Sequence, residues 1–564
     1  MPTVNITING KQITAQAGQT VLQAAQAAGI DIPVLCQHPA LSSWGACRIC
    51  LVEIAKQRGL QPACTFPVSE GMEVWTESEK VVNIRKFVLE LLFSERNHYC
   101  MFCEMSGDCE LQNLAYRYGL DHWIYPRPYE KLGVDASRKY FIMDHNRCVL
   151  CRRCVRACAE IAASHTLGIR ERGARSMIMA DHDVPFGDST CVECGSCLQV
   201  CPTGALIDRR SSYGGREKEV THTQTACMQC SIGCTLDVVT RHGRLLRVDG
   251  VWEDGPSKGL LCVAGRFQPL YETRARLTQP MVRQKDQLVP ATWDEALARI
   301  AEKMRGKVVG VAAGAATNEV YAAFAGAIKK AKGAAGRLEP TLPALGYGKA
   351  GVLGDIATAD FIIIAGADPL ANHRVAGYFV KRALDHGARL ALLGGADGGL
   401  SAYANLTLAD TNAGPAVQLA SQAEKPVVIY GVGVSPAAIA GLKPLADKAL
   451  FIGLEPANNG QGALAAGLQP IGPQKADLLY LLAGEAPADG MAGYLNGAFT
   501  VVQASYASPL TEKADVVLPA PTWAERAGHI TNLSGGTLEV KPAVQMAAGV
   551  RDETDVLQAL AKLL

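Results

Sequence analysis

The sequence predicts two halves of different class: small α+β modules built around cysteines over the first 275 residues, then an α/β half with largely parallel sheets. Three observations carry this. All 19 cysteines precede residue 263, and they fall in runs with short, fixed spacings. The rest of the chain alternates short β-branched or apolar runs with Ala-rich helical stretches. At 564 residues the chain exceeds one ordinary core and accommodates several domains.

Two runs set the organisation. R-C-V-L-C-R-R-C-V-R-A-C (147–158) and C-V-E-C-G-S-C-L-Q-V-C-P (191–202) both spell C-x2-C-x2-C-x3-C. Three thiolates in one tight loop can hold three irons of a cubane, and in two-cluster proteins the fourth cysteine ligates the other cluster. The spacing therefore assigns Cys148, Cys151, Cys154 and Cys201 to one [4Fe–4S] cluster, and Cys191, Cys194, Cys197 and Cys158 to a second. Pro202 turns the chain away after the last ligand, whereas the first copy has Ala159 there. Structural zinc usually takes two separated C-x2-C pairs, and a disulfide framework suits small secreted domains with an even cysteine count.

Taken in order, residues 3–16 alternate like a hairpin around Asn9-Gly10, and residues 19–29 carry a helical pattern ending at Gly29. Cys36, Cys47, Cys50 and Cys64 then supply four thiolates along a loop, which suits a [2Fe–2S] centre on a small sheet with a crossing helix; zinc is the alternative for this set. Residues 81–95 predict an amphipathic helix with Val82, Ile84, Phe87, Val88, Leu91 and Leu92 inward and Arg85, Lys86 and Glu90 outward. After it, Cys100, Cys103 and Cys109 leave a cubane one ligand short, and His98 is the nearby residue able to complete it. An imidazole in place of a thiolate makes a cluster less negative and raises its potential. Arg209 to Val220 reads as a linker. Cys227, Cys230, Cys234 and Cys262 supply a fourth cubane, with residues 236–248 as a hairpin around His242-Gly243. Every cysteine is then used, and none is left for a nucleophile or disulfide.

In the second half, strands are expected at Lys307–Gly314, Asp360–Gly366, Arg389–Gly395, Pro426–Gly431 and Asp477–Leu482. Gly394-Gly395-Ala396-Asp397-Gly398 does not match G-x-G-x-x-G, and no Walker A sequence occurs, so these glycines read as tight βα turns. The formal charge of +1 gives no case for nucleic acid or anionic membrane. No apolar run approaches the ~20 residues of a membrane span, and Met1 to Ile6 reads as a strand without signal-peptide features. The expectation is a cytoplasmic protein, or one held at the cytoplasmic face of a membrane through partners.

The order of cysteine runs carries a resemblance. Residues 1–210 resemble the iron–sulfur N-terminal region shared by the large iron–sulfur subunit of respiratory complex I, the diaphorase small subunit of NAD-reducing hydrogenases and [FeFe] hydrogenases. E-R-N-H-Y-C-M-F-C-E-M-S-G-D-C-E-L-Q is most similar to the hydrogenase diaphorase version, although the common pattern places three residues between histidine and first cysteine and this chain only Tyr99. Residues 220–564 are similar to molybdopterin oxidoreductases of the formate dehydrogenase type and their complex I counterpart, through C-M-Q-C-S-I-G-C-T-L, A-T-W-D-E-A-L, T-A-D-F-I-I-I-A-G-A-D-P-L-A-N-H, N-N-G-Q-G-A and E-K-A-D-V-V-L-P-A-P-T-W-A-E. The resemblance implies a β-grasp [2Fe–2S] domain over 1–80, a His/Cys3 [4Fe–4S] domain over 81–120, a two-cluster ferredoxin-like domain over 138–210, a molybdopterin-oxidoreductase-type [4Fe–4S] domain over 220–275 and an α/β molybdopterin-oxidoreductase-like domain over 276–564.

The function it implies is an electron-transfer subunit of an NAD(H)-linked oxidoreductase, with one [2Fe–2S] and four [4Fe–4S] clusters and no active site or molybdopterin of its own. The chain has no flavin or nicotinamide fingerprint. The implied partners are therefore a flavin- and NADH-binding subunit with its small [2Fe–2S] companion, and a terminal module such as a [NiFe] hydrogenase, a formate dehydrogenase, a ferredoxin or a membrane arm. The alternative is a catalytic molybdenum or tungsten enzyme of formate dehydrogenase type. Against it stand a thiol-free zone from Arg337 to Gly346, Ala264 where the active enzymes carry Lys, and the expected lack of a closing barrel domain before Leu564. An [FeFe] hydrogenase would need cysteines after Cys262.

Overall fold

The structure, a computed structural model, describes residues 2–126, 132–313, 316–394, 398–486 and 490–564. It divides into two units, Met1–Val220 and Thr221–Leu564.

In the first unit, strands Thr3–Ile8 and Lys11–Gln16 form the expected hairpin, with Asn9 (φ 50°) and Gly10 (φ 81°) both left-handed, as a two-residue turn between twisted strands requires. Strand Met72–Trp75 pairs parallel to the first strand and Leu51–Ile54 lies beyond it. Helix Val21–Ala27, closed by a Thr20–Gln23 capping box, buries Val21, Leu22, Ala24 and Ala25 against Ile6, Ile8, Val52 and Val74. A mixed sheet grasping one helix is the fold expected for residues 1–80.

The following helix, Glu79–Glu95, is rotated from its expected orientation. Val81, Arg85, Leu89 and Phe93 face inward, and Phe87 and Leu91 are exposed. Leu89 and Phe93 each contribute about 2–3 kcal/mol by leaving water, but Arg85 decides the rotation. Fully buried, it donates from Nε to Ile49 O at 2.9 Å, from Nη2 to Leu51 O at 2.9 Å and from Nη1 to Tyr118 Oη at 2.7 Å. Turning it out would strand those acceptors.

Residues 134–208 hold short elements around two cysteine loops. A strand set of Leu206–Asp208, Phe141–Asp144 and Val134–Asp135 is accompanied by a hairpin of Leu167–Arg170 with Met177–Ala180. The expected linker from Arg209 to Val220 is not free chain. Tyr213 Oη donates to Phe102 O at 2.8 Å and Glu217 N to Asp108 Oδ2 at 3.0 Å, which straps it to the Cys100–Cys109 loop.

In the second unit, Thr221–Ala226, Thr235–Arg241 and Arg244–Gly250 form an antiparallel meander. Strands Val308–Ala312 and Leu478–Gly484 belong to an eight-stranded sheet. Phe361–Ala365, Arg389–Leu393 and Pro426–Tyr430 belong to a six-stranded parallel sheet. The expected strands thus appear; Gly314, Gly395, Ala396 and Asp397 lie outside the described residues. In the six-stranded sheet, apart from the edge strand Lys349–Ala350, chain order runs outward in opposite directions from the neighbouring strands Phe361–Ala365 and Pro426–Tyr430. This is a topological switch point, where loops at the carboxyl ends open a crevice. Among the described residues no helix is long and apolar enough to cross a membrane.

Gly366 makes the crevice possible. It is left-handed (φ 57°), and a Cβ there would stand 2.0 Å from Val434 N and 2.1 Å from Gly433 C. Gly366→Ala is expected to destabilise this sheet by about 3 kcal/mol or more. Hydrogen exchange of the full chain checks it: amides of 361–365 and 426–430 should lose protection while those of 3–16 keep theirs.

Candidate metal centres

Cys36, Cys47, Cys50 and Cys64 meet at one edge of the first sheet, Cys36 in hydrogen-bonding contact with Cys47 and Cys64, and Cys50 with Cys64. Gly45 and Arg48, both left-handed, wind the intervening loop. The bonds from Arg85 seize the carbonyls on either side of Cys50, and Arg156 donates to the carbonyls of Cys36 and Ser42. These thiols crowd one another: contact with Cys36, and burial after it, push Cys47 and Cys64 up, whereas Cys36 is held down by accepting from both.

The two C-x2-C-x2-C loops are built alike. Leu150 and Glu193 occupy the same place and are left-handed (φ 52° and 54°), as are Arg152 and Gly195 just past the next cysteine (φ 60° and 71°). Three non-glycine residues in that region imply strain held by the surroundings. The bend turns backbone N–H groups toward sulfur: Leu150 N lies 3.4 Å from Cys148 Sγ, and Glu193 N 3.4 Å from Cys191 Sγ. The fourth cysteines sit crosswise. Cys201 acts electrostatically on Cys148, Cys151 and Cys154, and Cys158 on Cys191 and Cys197. Burial pushes Cys148 and Cys158 up to about 11 and Cys191 up to about 12. Cys158 lies in a widened π-helical turn, Ala157–Ile161, that continues the helix Arg153–Arg156.

His98, Cys100, Cys103 and Cys109 line one cavity with Arg147 and Gly204. Phe93 packs edge-on against the His98 ring, centroids 5.4 Å apart. Cys109 stands at the N-terminus of helix Glu110–Arg117, and burial pushes its thiol up to about 12. The Arg147 guanidinium, ion-paired to Asp144 at 2.9 Å, also interacts electrostatically with the Cys103 side chain. A Cβ on Gly204 would lie 2.6 Å from Cys103 Sγ, so the absence of a side chain there reserves space for sulfur.

In the second unit, Cys227, Cys230, Cys234 and Cys262 line a cavity of about 470 Å³ with Ala264, Gly265 and the switch-point residues Gly366, Asp368 and Gly431. Burial pushes Cys230 up to about 12. His373 Nε2 lies 2.9 Å from Ser231 Oγ and 3.0 Å from Glu455 O, tying the cysteine loop to the parallel sheet; burial lowers it to about 4, so the ring is neutral at pH 7. Arg337, at the start of the thiol-free zone, is buried in an ion pair with Glu455 (2.9 Å) and donates to Gly460 O.

The donor sets fit iron–sulfur clusters. All 19 cysteines are free thiols, each buried or half-buried. Among the described residues no three His, Cys, Asp or Glu side chains converge as one metal ion would require; thiolates around a multi-atom core stand further apart. Sequence reasoning missed the arginines. Arg85, Arg156, Arg138 (to Cys191 O, 3.1 Å) and Arg153 (to Val200 O, 3.4 Å) each grip a carbonyl of a candidate ligand or its neighbour. For Arg153 and Arg156 the only sequence signal is Arg within a cysteine run, which also describes an exposed basic residue; Arg85 and Arg138 lie well away from any cysteine in sequence and carry no signal.

Family models match along the chain in this order: a 2Fe-2S iron–sulfur cluster binding domain over 1–79, the NADH-ubiquinone oxidoreductase-G iron–sulfur binding region over 85–123, a 4Fe-4S dicluster domain over 147–205, the molybdopterin oxidoreductase Fe4S4 domain over 220–271 and molybdopterin oxidoreductase over 276–435 and 460–563. A G-type NADH-quinone oxidoreductase subunit of Rhizobium meliloti is 36% identical over 316 residues, covering 55% of this chain and 36% of that protein, so the match spans about a third of the relative. NADH-quinone oxidoreductase subunit 3 of Thermus thermophilus is 29% identical over 660 aligned positions, covering 100% of this chain and 83% of that one. A chain from the crystal structure of an NAD+-reducing [NiFe]-hydrogenase in the H2-reduced state is 37% identical, covering 38% of this chain and 90% of that one with a TM-score of 0.36.

Gly204→Ala tests the reserved space. The variant is expected to lose iron from the His98 site alone, seen as the disappearance of one [4Fe–4S] signal in EPR spectra of the reduced chain with the other signals intact.

Proposed function

We propose that this chain, which belongs to the family of iron–sulfur proteins that includes the large iron–sulfur subunits of NADH-quinone oxidoreductase, is the electron-transfer subunit of an NAD(H)-linked oxidoreductase complex. The observation that carries this is the gathering of all 19 cysteines, each a buried or half-buried free thiol, into groups with short, fixed spacings. Clusters bound in those sets supply one-electron redox chemistry. The ligand sets are the [2Fe–2S] group Cys36, Cys47, Cys50 and Cys64, and four [4Fe–4S] groups: His98 with Cys100, Cys103 and Cys109; Cys148, Cys151, Cys154 and Cys201; Cys191, Cys194, Cys197 and Cys158; and Cys227, Cys230, Cys234 and Cys262. The chain's own residues exclude water from these sets, hold thiolates in register through left-handed turns, and offset their charge with buried guanidinium groups. The partners are a flavin- and NADH-handling subunit at one end and a further redox module at the other.

The molybdopterin-oxidoreductase-like half is a scaffold without pterin in this reading. Ala264 lines the same cavity as the last cysteine set, and the 337–346 zone offers no thiol to a metal. The second reading, a molybdenum or tungsten enzyme, draws on the open cavity of about 470 Å³ at the switch point. Metal analysis separates the two. About eighteen irons per chain are expected without molybdenum or tungsten; molybdenum or tungsten with extractable pterin travelling with the chain would favour the second reading, and about four irons with stoichiometric zinc would remove the first.

His98→Cys tests the unusual ligand. A thiolate there adds negative charge beside iron, so the potential of one cluster is expected to fall, each ~59 mV being a tenfold change in the one-electron equilibrium. Midpoints identical to wild type in an EPR-monitored titration would show that His98 is not a ligand.

A further inference from the structure

Arg153 lies between Cys151 and Cys154 and is only 3% exposed. It meets Glu110 through two parallel bonds, Nη1 to Oε1 at 2.6 Å and Nη2 to Oε2 at 2.8 Å, and Nη1 also reaches Val200 O, beside Cys201, at 3.4 Å. Its buried Nε has no hydrogen-bond partner. Glu110 follows Cys109 directly, and its backbone N donates to Pro202 O at 3.0 Å. One ion pair therefore spans two cysteine sets, with its positive end against Cys151 and Cys201, whose thiolates it favours, and its negative end beside Cys109.

Stability alone is a poor reason for this arrangement. Only the guanidinium end is taken out of water, a desolvation cost that a half-exposed carboxylate offsets at best in part, so an apolar pair of similar volume would hold the modules together as well. An unpaired buried N–H adds a further cost. What apolar residues cannot supply is a fixed charge on each side. A positive group beside a set of thiolates favours the more negative, reduced state of whatever they hold, and a nearby carboxylate opposes it.

We propose that Arg153 is a positioning residue that raises the reduction potential of the cluster held by Cys148, Cys151, Cys154 and Cys201, and that Glu110 sets how far by partly neutralising it. Neither residue touches electrons itself. The inference rests on the ligand sets proposed above, and its test keeps the two apart.

The test uses the full-length chain prepared anaerobically, with iron analysis and EPR-monitored redox titration of wild type, Arg153→Met, Arg153→Lys and Glu110→Gln. Arg153→Met is expected to make reduction of one [4Fe–4S] signal at least tenfold less favourable, a fall of about 59 mV or more, and Arg153→Lys to recover part of it. Glu110→Gln, at a half-exposed side chain, should move the same signal upward because the guanidinium is no longer neutralised. Opposite shifts with iron retained are the signature that a purely structural link would not give. Unchanged midpoints, or shifts of the same sign in the Arg153→Met and Glu110→Gln variants, overturn the inference. If Arg153→Met loses iron, the Glu110→Gln titration decides alone. A wild-type chain without iron would overturn the cluster assignment itself and this inference with it.

Discussion

The structure depends on a charge constraint: thiolates gathered out of water must be compensated from within the protein. Burial opposes ionisation at nearly every cysteine of the five sets, as the raised Cys109, Cys158, Cys191 and Cys230 thiols display. Irons bound there would supply part of the compensation, and buried arginines with backbone N–H groups supply the rest. That requirement explains features that otherwise look wasteful. Arg85 occupies a core position in an otherwise apolar helix face, and Leu150, Arg152 and Glu193 accept left-handed backbone where glycine would be unstrained.

That the thiols gather was legible in the sequence because spacing is a local property: a loop of two intervening residues can bring two thiols together whatever surrounds it. The fold class was legible for the same reason, since the hairpin at Asn9-Gly10 and the strand runs ending in glycine are short-range signals. The orientation of helix Glu79–Glu95 was not. Its periodicity admits more than one apolar face, and the deciding bonds run to Ile49, Leu51 and Tyr118, distant in sequence. The segment from Arg209 to Val220 has linker composition, yet Tyr213 and Glu217 find partners about a hundred residues away.

In the second unit, the glycines that close two of the expected strands do more than end them. Gly366 and Gly431 let two strand ends approach so closely that the crevice between them opens onto the last cysteine set. His373, in the A-N-H that closes one of the scaffold motifs, binds the loop carrying Cys230 and Cys234 to the carbonyl of Glu455, itself paired to Arg337. The parallel sheet thus acts as a rigid mount for four thiols that arise on a different sheet.

One short turn, Arg153 to Cys158, is a shared hinge pin for three modules. Arg153 reaches the carboxylate beside Cys109, Arg156 reaches the carbonyl of Cys36, and Cys154 and Cys158 between and after them face different cysteine sets. Whatever orders that turn therefore orders its neighbours. A change that displaces this one turn would loosen the supports of three cysteine groups at once, rather than of one.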